Sequence, residues 1–162
     1  MPIFAVALLV AFLDGTFAVL YYVNILGAAA FRRVWQSVAS GWIGKASFDG
    51  GSATIALGLA THLMVALGWT LGYTFVAQRL EFVRRLRSTT RGKLFAGAIY
   101  GAMMWLTMDF VVIPLSQARQ LPPNNWRFYG QLVWHMIVLG PAIVWFTRPL
   151  RERTPIALAA AP

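Results

Sequence analysis

Four long apolar runs leave this chain little choice of fold. They cover roughly residues 3–26, 53–77, 94–115 and 128–147. A helix needs about 20 apolar residues to cross the hydrocarbon of a bilayer, and each run reaches that length. Each is also too long for a strand and shows no apolar–polar alternation. The composition agrees: 59% of the residues are hydrophobic and 12% charged, against about a quarter charged in soluble domains. The expected fold is all-α, a polytopic membrane protein whose single transmembrane domain takes in residues 1–162. The opening MPIFAVALLVAFLDG has no basic n-region, and its apolar stretch runs on past Asp14. It reads as a retained first helix, despite the small residues GAAA at 27–30.

The net charge is +9, yet the basic residues sit at the ends of the apolar runs. Membrane topology puts them there, so nucleic acid is not the expected partner. Arg79, Arg84, Arg85, Arg87, Arg91 and Lys93 lie between the second and third runs, and Arg148, Arg151 and Arg153 follow the fourth. These segments share one side of a four-span protein. They outweigh Arg32, Arg33 and Lys45 on the other, so both termini are expected on the cytoplasmic side. Arg84, Arg85 and Arg87 are also candidates for contact with anionic lipid headgroups. Cysteine is absent, which removes disulfides, thiolate metal sites and cysteine nucleophiles.

The first connecting loop is itself patterned. In FRRVWQSVASGWIG, Phe31, Val34, Trp35, Val38 and Trp42 recur at helical spacing, with Arg32, Arg33, Gln36 and Ser37 largely opposite. This predicts an interfacial helix over about 30–44, its tryptophans at the headgroup boundary. The small Ser40 and Gly41 leave a re-entrant dip as the alternative. SQARQLPPNNW is read as a turn stopped by Pro122 and Pro123. Pro141, inside the fourth run, should kink its helix.

Each run carries one ionisable residue: Asp14, His62, Asp109 and His135. Such residues usually face a bundle interior or water. At ~1.5 Å per residue, His62 lies ~15 Å and His135 ~13 Å from the loop end of their spans, with Asp109 ~8 Å and Asp14 ~18 Å from theirs. Stripes of small residues accompany them: Ala7, Ala11, Asp14, Ala18 and Tyr21; Gly58, Thr61, His62, Val65, Trp69 and Gly72; Gly97, Gly101, Trp105 and Asp109; Gln131, His135, Val138 and Ala142. Small residues let helices approach closely in membranes. The four groups are therefore expected to converge, with Thr61 and Gln131 as polar support.

Four uses compete for such a cluster. It can be interhelical hydrogen-bond glue, worth about 0.6 kcal/mol per bond. It can be a proton or cation relay, since imidazoles and carboxylates pass protons along chains. His62, His135 and Asp109 could hold a divalent metal such as zinc or iron. The two histidines could ligate haem, with Arg127 near its propionates. No cofactor at all is the leading expectation. G-x-S-x-G, H-E-x-x-H, P-loop and G-x-G-x-x-G motifs are missing, so a hydrolase or nucleotide enzyme is not expected. A bundle this small is expected to self-associate or to serve as an accessory subunit of a larger membrane complex.

VWQSVASGWIGKASFDGG, LGLATHLMVALG, YGAMMWLTMDFVVIPLS and WHMIVLGPAIV, in that order, resemble a set of bacterial four-helix inner-membrane proteins, and more distantly the YagU-like family. The resemblance covers roughly residues 10–148. It implies counterparts for Asp14, for the loop residues Gln36, Ser37, Ser40, Gly41, Gly44, Gly50 and Gly51, and for His62 and His135. Asp109 stands where that set usually has asparagine. The resemblance implies a bacterial cytoplasmic membrane and, through the YagU-like proteins, a loose association with acid tolerance; it implies no reaction or cofactor.

Overall fold

A computed structural model describes residues 1–119 and 126–147. Among these the chain is helical, with no strand. Helix α1 is Ile3–Leu26, α2 is Ala30–Ile43, α3 is Gly51–Arg79 and α4 is the short Glu81–Leu86. Helix α5 spans Thr90–Leu115 and α6 spans Trp126–Phe146. Helices α1, α3, α5 and α6 supply the four segments long and apolar enough to cross a membrane, and the protein is an integral, multi-pass membrane protein. Their outer surfaces display Phe4, Leu8, Phe12, Leu59, Phe75, Phe95 and Ile137, as lipid contact requires. Pro122, Pro123, Arg148, Arg151 and Arg153 lie outside the described residues.

Local chemistry sets the helix ends. Gly27 and Gly44 close α1 and α2 at φ +54 and +60, with their N–H groups donating to the carbonyls of Val23 and Ser40. Only glycine takes that backbone without strain. Thr89 caps α5 by accepting from the N–H of Gly92 at 3.0 Å, the usual service of an N-cap hydroxyl. Arg87 reaches the other way: its Nη2 donates to the Thr147 carbonyl at 2.6 Å and the Val144 carbonyl at 3.3 Å. It thereby satisfies the open carbonyls and negative dipole end of α6. Met1 lies at the same end, its nitrogen 3.0 Å from the Phe146 carbonyl. We call this the clamped end; α2 sits toward the opposite one.

Helix α1 packs between α3 and α6, and α5 lies along α6. The closest approach is backbone to backbone. A Cβ on Gly101 would overlap the His135 carbonyl, one on Gly97 would meet the ring and backbone of Pro141, and one on Gly140 would overlap the Gly97 carbonyl. Gly97 and Gly101 thus act as the sequence predicts. Pro141 also acts on its helix, through a wide turn instead of an open break: His135–Leu139 is π-helical, and the Gly140 N–H donates to the His135 carbonyl. Helix α5 repeats the device, with a π turn over Met108–Val112 just ahead of Pro114. A proline removes an N–H, and a π turn is one way a helix re-satisfies the backbone around it.

Three expected faces differ. On α3 the interior row is Gly58, His62, Ala66, Thr70, Tyr73 and Ala77, while Gly72 is exposed. Thr70 and Thr74 can lie inside because each hydroxyl donates to its own helix, at 2.8 Å. On α6 the fully buried residues are Phe128, Leu139, Ile143 and Val144, while Gln131, His135, Val138 and Ala142 are half-buried. The π turn accounts for the shift from Val138 and Ala142 to Leu139 and Ile143, since its extra residue rotates the face beyond it by about 100°. On α2 the inward row is Ala30, Trp35, Gln36, Ala39 and Ser40, while Phe31 and Trp42 point out.

Helix α2 does not lie flat at the bundle's end. Its Trp35 carbonyl fills the space a side chain on Gly58 would need. Gly58 is seven residues into α3, about 10 Å down that helix. The helix is seated between α1 and α3. In the basic link, Arg84 and Arg85 pair with Glu81 on α4 and stay largely exposed. Arg87, in contrast, is bonded to the last turn of α6.

Gly101→Ala is expected to destabilise the protein by about 2 kcal/mol, because the clash is with backbone that cannot move aside. Gly68→Ala, which meets nothing within 4 Å, should be neutral or stabilising by up to about 1 kcal/mol. Unfolding in detergent micelles measures both.

Candidate functional site

Asp14 and His62 come from different helices and meet. The His62 Nε2 is 3.8 Å from the Asp14 Oδ2 and 3.1 Å from the Ala11 carbonyl oxygen. Ala11 is one turn before Asp14 on the same face of α1, so one nitrogen faces both acceptors. A neutral ring with its proton on Nε2 donates to the carbonyl. A small rotation toward Asp14 hands that bond to the carboxylate. Glycine makes the approach feasible: Gly15 stands beside Asp14, and the space of its missing side chain lies 3.7 Å from the His62 Nε2. The side chains are 17% and 26% exposed.

Trp35 completes the enclosure. Its ring stands edge-on to His62, centroids 5.3 Å apart at 62°. The indole tip would come within 2.6 Å of a Cβ at residue 15. The ring therefore fills the notch between α1 and α3, and Trp35 is only 5% exposed. Neighbouring bonds hold α2 in place. Gln36 Nε2 donates to Thr54 Oγ1 at 3.4 Å, Trp42 Nε1 to Thr61 Oγ1 at 2.9 Å, and Gln117 Nε2 to the Trp42 carbonyl at 2.7 Å.

The other candidates belong to different settings. The Nδ1 of His135 is 2.8 Å from the Gln131 carbonyl, one turn back on its own helix. The Gln131 Nε2 donates to the Tyr22 hydroxyl at 3.0 Å. Asp109 is 5% exposed within the α5 π turn, and His135 opens the α6 π turn. Thr61 serves Trp42 on α2. A metal would need three His, Asp or Glu side chains together, and no such group occurs among the described residues. The two imidazoles each have their own backbone acceptor, on different helices.

Sequence reasoning assigned Trp35 to the headgroup boundary and left Gln36 on the outer face. A signal for the deeper seat exists: Gly58 precedes His62 by one turn, and Gly15 follows Asp14 directly. Two spans thus thin out beside their ionisable residue, leaving room for a large ring.

Fold and site together define an all-α integral membrane protein carrying an ionisable pair between two of its spans. Comparison with protein-family models, curated proteins and solved structures finds no match to the chain.

A double-mutant cycle of Asp14→Asn with His62→Ala should give a coupling energy of about 1 kcal/mol, within the range found for hydrogen bonds between membrane helices. Strictly additive effects on unfolding would mean that the two side chains do not interact.

Proposed function

We propose that this protein handles protons or small cations within the membrane, and that Asp14 and His62 are its working groups. One observation carries the reading: a carboxylate and an imidazole from separate spans share one nitrogen's reach, deep in apolar helices. Such groups are costly at that depth and typically mark ion or proton paths. The Asp14 carboxylate beside the His62 Nε2 gives that proton a base to pass to, which pure hydrogen-bond glue does not need. Asp109, Tyr22, Gln131 and His135 extend the polar line toward α5 and α6 as a second segment. The resemblance to YagU-like proteins points the same way. On the same reading the protein sits in a bacterial cytoplasmic membrane with the clamped end inside, where Arg84 and Arg85 meet anionic headgroups.

Flux of protons into proteoliposomes, followed with an entrapped pH-sensitive dye, tests this. Asp14→Asn and His62→Ala should each lower the flux at least tenfold, and His135→Ala should lower it less. Unchanged flux in both pair variants overturns the reading. Stoichiometric co-purification with a large membrane partner, insensitive to both substitutions, would replace it with an accessory-subunit role.

A further inference from the structure

We infer that Trp35 is a stopper that closes the Asp14–His62 pair to water on the α2 side of the membrane. The inference rests on reading that pair as the working site, and it names how access to it is controlled. Three observations combine. First, α2 is inserted instead of laid across the end: its backbone meets α3 at Gly58, and its side chain reaches Gly15 on α1. Those positions lie eleven residues from the Leu26 end of α1 and seven from the Gly51 start of α3. Second, the indole occupies the gap between the two helices that carry the pair, against Gly15 and edge-on to His62. Third, the seat is made by absent side chains. A Cβ at Gly15 would strike the ring, and one at Gly58 would strike the Trp35 backbone. Two glycines on two helices thus accommodate one residue of a third.

Helix α2 is held by the bonds from Gln36 to Thr54, Trp42 to Thr61, and Gln117 to the Trp42 carbonyl, by the Gln117 N–H on the Gly41 carbonyl at 3.1 Å, and by the seat of Trp35 on Gly58 and Gly15. Removing the indole from that seat opens the pair.

The chain contains no cysteine, so a single introduced thiol reports access cleanly. Asp14→Cys places it at the pair while leaving Trp35 against His62. Ser37→Cys, exposed on α2, identifies the side from which reagent is applied. Sealed vesicles are treated with a membrane-impermeant maleimide on that side, and labelling is read by mass spectrometry. With Trp35 present, Cys labelling at position 14 should be at least tenfold slower than at position 37. Adding Trp35→Ala should remove most of that difference, and Trp35→Phe, a smaller ring that keeps α2 packed, should remove part of it. Fast labelling with Trp35 in place, or no acceleration in either variant, overturns the stopper. The readout needs no transport. Accelerated labelling without proton flux in any variant would leave the stopper standing and sink the proton reading.

Discussion

Backbone touching backbone is the contact on which this bundle depends. Lipid tails are as apolar as leucine, so helices in a bilayer gain little by hiding apolar surface from them. They gain by close packing. At Gly97, Gly101 and Gly140 no side chain separates α5 from α6, and carbonyls rest directly on the facing helix. The rest of the fold is arranged around that seam. Helix α1 lies on α6, α3 on α1, and α2 is pressed into the angle between α1 and α3. Arg87 then ties the link between the second and third spans to the last turn of the fourth.

Part of the interior's polar problem is solved within single helices. Thr70 and Thr74 donate to carbonyls one turn back on their own helix, and His135 and Ser40 also bond carbonyls of their own helices. Other side-chain bonds join helices, as Gln36 to Thr54, Gln131 to Tyr22 and the Tyr100 hydroxyl to the Trp69 carbonyl do. What distinguishes the Asp14–His62 contact from those is that both of its partners are ionisable.

Much of the architecture was legible because length and hydropathy decide it. The first run, 3–26, coincides with α1, and the loop helix expected over about 30–44 is Ala30–Ile43. The others extend by two to four residues at one or both ends, as α3 does to Arg79 before the short α4. What periodicity could not show was orientation. A constant 3.6-residue step carries Gln131, His135, Val138 and Ala142 inward, but the π turn after Trp134 adds a residue, so that Leu139 and Ile143 take the inward places of Val138 and Ala142. A fixed polarity rule turns Gln36 outward, whereas α2 is buried deeply enough for Thr54 to receive its amide. Likewise Asp14, His62, Asp109 and His135 are singled out by their cost in apolar helices. Asp14 meets His62, while His135 bonds its own helix; height along a span says nothing about azimuth.

The paired π turns bear on how α5 and α6 can change shape. A surplus residue in a helix is ordinarily free to migrate, since each neighbouring carbonyl can pass its partner along in sequence. Pro114 and Pro141 interrupt that exchange, having no N–H to offer. The surplus is thereby pinned at one address in each helix, and the segments on either side keep a fixed rotational offset. Asp109 and His135 sit inside those addresses. Their bearings are thus set by covalent chemistry a few residues away.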